Sequence, residues 1–115
     1  MRTATEIKEP RDYKGFVIEP WHGKFEHYPD KPLLLIASFI VHADDFFCVF
    51  AFLVKYLDIV AKKVSDEELL EKTQETIRSY IDSGKVNNPK EYTFEFKSPE
   101  FVEVKDPTWW IKSIS

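Results

Sequence analysis

One cysteine and three glycines are all that a chain of 115 residues contains. A lone thiol excludes an internal disulfide and fits a reducing compartment. No metal, nucleotide or nucleophile signature stands out in the sequence, and there is no repeat or low-complexity tract. A basic excess is missing as well: 16 Lys and Arg stand against 20 Asp and Glu, for a net charge of −4. Neutralising phosphates needs a basic footprint, so nucleic acid is not an expected partner. The start, Met1 to Glu6, has no apolar core of the kind a secretory signal carries. Leu33 to Val54 is long enough to span a bilayer, but Asp44 and Asp45 fall at its centre. Each would cost roughly 2.5 to 3.5 kcal/mol there, and either half alone is too short. These absences together imply a cytoplasmic, soluble domain without a membrane or cofactor requirement.

What is present is concentrated between residues 33 and 64. Leu33 to Val41 is one apolar run and Phe46 to Val64 a second, separated by His42-Ala43-Asp44-Asp45. Whatever core forms must form around them. The first run has no periodicity and fits a strand buried on both faces or a short buried helix. Its end, Phe39-Ile40-Val41, favours strand. In the second run Asp45, Cys48, Ala51, Lys55, Asp58 and Lys62 recur at steps of three and four. That spacing predicts a buried helix from about Asp45 to Lys63, with Asp44 or Asp45 as its N-cap.

Residues 1 to 13 carry mixed charge and little to bury, and read as a flexible arm ahead of a single domain over 14–115. Phe16 to Trp21 and Lys24 to Tyr28 flank His22-Gly23, which predicts a tight hairpin in which Glu19 faces Glu26. Pro20 has no N–H for a ladder, so its strand is expected at an edge or to twist out early. Ser65-Asp66-Glu67-Glu68 is a capping box opening an amphipathic helix whose inner stripe is Leu69, Leu70, Thr73, Ile77, Tyr80 and Ile81, with Gly84 as the stop. Tyr92 to Phe96 and Phe101 to Lys105 alternate as two strands. A loop centred on Ser98-Pro99-Glu100 would set Phe96 opposite Val102. The expected fold class is α+β: a mostly antiparallel sheet with two α-helices packed on one face.

The candidate binding residues are Glu19, Trp21, Glu26 and Tyr28, all on one face of the predicted hairpin, together with Trp109 and Trp110. Like charges facing each other across a ladder repel. Between two aromatic rings, the Glu19 and Glu26 pair suits a cationic group or a sugar. Adjacent indoles at Trp109 and Trp110 cannot both enter one core, so one is expected at a homodimer or partner interface. His22, Glu26 and His27, and likewise His42, Asp44 and Asp45, lack metal-ligand spacing, and no metal is expected. Cys48, surrounded by phenylalanines, reads as a buried inert thiol rather than a nucleophile. The chain is 16% aromatic, more than a small core obviously needs. Two functions lead, ahead of a third in which the Glu19 and Glu26 patch serves an enzyme. One is a non-enzymatic protein-interaction or regulatory accessory module acting through an aromatic, acid-rimmed surface. The other is a binder of a small apolar ligand in a Phe-lined cavity between helices and sheet.

Overall fold

The structure is a computed structural model and describes residues 6–28, 31–57, 64–86, 90–97 and 99–104, the side chains of 28 and 31–33 excepted. In chain order its elements are β1 (Arg11–Tyr13), β2 (Phe16–Tyr28), β3 (Lys31–Ala43), β4 (Phe46–Lys55), α1 (Asp66–Asp82), β5 (Lys90–Lys97) and β6 (Glu100–Glu103). The six strands form one sheet in the order β1-β2-β3-β4-β5-β6. Every pairing is antiparallel except β4 with β5, which run parallel because α1 carries the chain back between them. The sheet curls into a half-barrel, and α1 is the one helix of more than two residues among the described residues.

The expectation of two helices on a sheet is therefore corrected. Of the segment read as a helix from Asp45 to Lys63, Phe46–Lys55 is strand β4, Tyr56 and Leu57 are helical, and 58–63 lie outside the described residues; Asp44 and Asp45 are the two-residue turn of the hairpin of β4 with β3. The reason is burial on both sides. Cys48, Phe50, Phe52 and Val54 face α1 and are buried. Phe47, Val49, Ala51 and Leu53 point the other way, and they are apolar too. A strand with two apolar faces loses its alternation, and the few polar positions left then fall at helical steps by chance. β3 is a strand, as its β-branched end suggested, and it pairs with β4 without interruption from Leu34 opposite Lys55 to Ala43 opposite Phe46.

The hairpin expected at His22-Gly23 is likewise absent: residues 16 to 28 are one strand. Its register against β3 slips between Pro20 and His22 and again between His22 and Glu26. These bulges absorb the residues that the sequence offers as a turn. Glu19 and Glu26 consequently lie on the same strand, opposite Ile40 and Ile36. Gly23 serves close approach rather than a left-handed turn. The Ile7 N–H donates to its carbonyl at 2.8 Å, and a Cβ on Gly23 would sit 1.9 Å from the Ile7 oxygen. Pro20 lies beyond the end of β1 and just before the first bulge, where a missing donor disturbs no ladder.

The stretch expected as an arm contains β1, which pairs with β2 through a two-residue turn at Lys14 (φ 48°) and Gly15 (φ 86°). Left-handed backbone at both positions matches the mirror-image turns of tight hairpins. Tyr13 Oη and Lys14 Nζ both donate to the Asp82 carboxylate, pinning this hairpin to the end of α1. The hydrogen bonds from Lys14 and Tyr13 hold the Asp82 carboxyl below its usual range.

Helix α1 forms where expected. Ser65 Oγ accepts from the Glu68 N–H at 3.1 Å. At the other end the Lys85 N–H reaches the Tyr80 carbonyl and Gly84, at φ 69°, reaches that of Ile81, closing a Schellman motif. Its buried residues are Leu69, Leu70, Thr73, Gln74, Ile77 and Ile81. They meet a ladder of rings on the sheet: Tyr92, Phe50, Phe94 and Phe52 stack at centroid spacings of 5.0 to 5.8 Å. Tyr80 stands edge-on to Phe50, Tyr92 and Phe94. Offset and edge-on rings add roughly 0.5 to 1.5 kcal/mol per pair beyond burial. The aromatic excess is thus largely spent on the core. Tyr80 also donates to Glu103 on β6, and burial with that hydrogen bond raises its hydroxyl pKa.

The last hairpin is tighter than expected. Phe96 lies opposite Phe101, and Lys97 opposite Glu100, so the turn spans two residues. Phe101 rather than Val102 faces the core, where it packs against Phe52 and Phe96. The larger ring wins the buried side, and Val102 is left exposed.

Two outcomes are expected for stability. Gly23→Ala should cost about 1 to 3 kcal/mol, the range for forcing atoms into a packed site, read as a lower urea midpoint. Gln74 is fully buried and its Oε1 has no hydrogen-bond partner among the described residues. Replacing it with Met removes a buried polar group that costs roughly 1 to 3 kcal/mol when unsatisfied, so the urea midpoint should rise. A fall would show that Oε1 is satisfied in solution.

Candidate interaction surface

The face of the sheet turned away from α1 is assembled by register. Residues that pair across strands share a face and stand in rows. One row reads Glu19, Ile40, Val49, Glu91; the next reads His22, Ser38, Ala51, Thr93; the third reads Glu26, Ile36, Leu53, Glu95. Two apolar side chains therefore lie between two glutamates in the first and third rows. The middle row carries small side chains in those central places. The result is an apolar stripe along β3 and β4, dipping at Ser38 and Ala51 and bounded by four carboxylates. From glutamate to glutamate a row crosses three strand gaps, roughly 14 Å, and the outer rows lie roughly 13 Å apart.

Burial grades along the stripe. Leu53 is fully buried and Ser38 nearly so, whereas Ile36, Ile40, Val49 and Ala51 are half-buried. Phe47 extends the apolar surface as an exposed ring. Trp21, placed by the first bulge of β2, is 60% exposed and stacks on His22 with the planes 13° apart. Between this indole and β5 lies a groove of about 280 Å³ lined by Trp21, His22, Ile36, Ser38, Val49, Ala51, Glu91, Tyr92 and Thr93.

The carboxylates differ in company. Glu19 Oε2 is 3.0 Å from His42 Nε2. Glu26 has Lys24 at 3.5 Å and His22 at 3.9 Å. Glu95, nearly buried, has Lys55 at 3.7 Å. Glu91 is exposed and has no basic partner among the described residues. The exposed pairs at Glu19 and Glu26 contribute little to stability, typically below about 1 kcal/mol. Their weight lies in setting the charge that an approaching molecule meets.

Of the residues singled out in the sequence, Glu19, Trp21 and Glu26 do share this side of the molecule, although not as a facing pair. The Tyr28 side chain, Trp109 and Trp110 lie outside the described residues. Sequence reasoning missed Glu91, Glu95 and the aliphatic centre of the face. The alternation of Tyr92, Phe94 and Phe96 already put Glu91 and Glu95 on the opposite side of β5. Only the strand nature of β4, hidden by its two apolar faces, connects them to Glu19 and Glu26. Among the described residues no three His, Cys, Asp or Glu side chains converge as a metal site, and no helix is long and apolar enough to cross a membrane. Compared with protein-family models, curated proteins and solved structures, the chain matches none.

Cys48 lies on the opposite, helix-facing side, with its thiol pushed up to about 11 by burial. A neutral, enclosed thiol is a poor nucleophile. Iodoacetamide at about pH 8, near the free thiol's own range, should therefore label Cys48 only as fast as the protein unfolds. Labelling at the rate of a free thiol would remove β4 from the core.

Proposed function

We propose that the protein is a non-enzymatic interaction module, of regulatory or accessory type, that docks a protein partner on the face of its sheet turned away from α1. The observation that carries this reading is the arrangement of that face: half-buried Ile36, Ile40, Val49 and Ala51 between rows of glutamate, with Trp21 standing 60% exposed beside them. Depletion of charge at a patch centre, an aromatic anchor and a polar rim are the composition of an interface core. A patch of roughly 14 by 13 Å is well below the roughly 800 Å² that each partner of a standard interface contributes, so it would form the centre of a larger contact. The cytoplasm suits the single thiol, and the net charge of −4 disfavours nucleic acid as the partner.

The cavity-binding alternative has less support. The phenylalanines expected to line a pocket are stacked on each other between α1 and the sheet, and the groove beside Trp21 opens on the other face. A homodimer remains part of the proposal, with Trp109 and Trp110 as its contributors from the C-terminal segment.

Ala51→Arg tests the docking face, because Ala51 is only half-buried and lies at the dip of the stripe. Proteins retained by the immobilised wild-type chain should be lost from the variant, with the thermal melt little changed. Retention of the same proteins by a folded variant would exclude this face. For the dimer, Trp109→Ala and Trp110→Ala are each examined by light scattering. A drop to the monomer mass in either supports the contact, whereas an unchanged monomer mass in wild type and both variants removes it.

A further inference from the structure

The four glutamates that bound the open face are not equivalent, and the difference points to a partner chemistry. Glu19, Glu26 and Glu95 each stand within 4.0 Å of a histidine or lysine nitrogen of the same chain. Glu91 has no such neighbour among the described residues, and it lines the groove of about 280 Å³ whose walls include Trp21, His22, Val49, Ala51 and Thr93. The groove therefore offers an aliphatic floor, an aromatic wall and one carboxylate without a basic partner among the described residues. A wholly apolar occupant would strip water from Glu91 without replacing it, which is costly for a charge. An anion would be repelled. A side chain with an apolar stem and a cationic head satisfies all three walls at once.

Resting on the docking reading above, we propose that the groove between Trp21 and Glu91 receives an arginine side chain of the partner protein. Its methylene stem lies over Val49 and Ala51, its guanidinium meets the Glu91 carboxylate, and its flat face stacks on the indole. Arginine fits better than lysine because a planar guanidinium pairs with a carboxylate through two parallel hydrogen bonds and stacks on aromatic rings. The chain's net charge of −4 draws a cationic partner toward this surface at long range.

The test uses the full chain, labelled with nitrogen-15 and titrated with n-butylguanidinium as the arginine probe, 1-butanol as its neutral counterpart and butyrate as the anion. The Trp21 indole N–H and the amides of Ala51 and Thr93 report on the groove. The expected result is saturable shifts with butylguanidinium, weakened about fivefold by Glu91→Gln and by Trp21→Ala, as loss of an ion pair or a cation–π contact at an exposed site implies. Glu71→Gln, on the outer side of α1, should change nothing. Equal responses to butylguanidinium and 1-butanol, or indifference to Glu91→Gln, would overturn the arginine site while leaving an apolar docking face intact. In partner capture the two ideas also separate. Loss with Ala51→Arg but full retention with Glu91→Gln sinks the arginine site alone, and retention in both sinks the docking reading itself.

Discussion

The pairing of β3 with β4 is the constraint on which everything else depends. It runs without a bulge from Leu34 opposite Lys55 to Ala43 opposite Phe46, and it places apolar side chains on both faces of the sheet centre. One face needs α1 to cover it, and the ring ladder of Phe50, Phe52, Tyr92 and Phe94 supplies the surface on which the helix seats. The other face is what is left over. A central strand pair with two apolar sides cannot be satisfied by a single helix on one face, so the same feature that builds the core also creates the half-buried stripe on the other.

The neighbouring strands adjust to that pair. On one side β2 accommodates Pro20 and Gly23 by slipping register, and the slip turns Trp21 outward beside His22. Ile7 then closes over Gly23, where the lack of a side chain makes room for its carbonyl. On the other side β5 lies parallel to β4, a pairing that requires the helical crossover. This parallel placement sets Glu91 and Glu95 level with Val49 and Leu53. The rim of glutamates is therefore a consequence of two different strand connections meeting across one pair.

Under the docking proposal, charge on this rim would act in recognition more than in folding. The ion pairs at Glu19 and Glu26 are partly exposed and thus weakly stabilising, while Glu95 is buried beside Lys55. They leave Glu91 as the carboxylate not compensated within the described residues. Selectivity between an arginine-bearing partner and an apolar one would rest on that single difference, because the aliphatic floor of the groove serves either equally well. Specificity of this kind comes from the penalty imposed on the wrong occupant as much as from attraction to the right one.

The helix α1, its serine cap and its glycine stop were legible in the sequence because each is decided within a few residues: Ser65 bonds to Glu68, and Gly84 closes on Ile81. The inward Ile18 and Phe25 and the outward Glu19 and Glu26 of β2 were legible too, since they alternate whichever way the chain turns between them, whereas His27, expected inward, is exposed. The strand identity of β4 was not, for a segment buried on both faces carries no period to read. Nor was the two-residue turn before β6, where Phe101 and Val102 compete for the core and the contact with Phe52 decides between them. The proposed docking face lies wholly in the second category. Its rows join residues from β2, β3, β4 and β5 that are up to 72 positions apart, Glu19 with Glu91 being the extreme. Local sequence set which side chains alternate; only long-range register decided which of them stand together.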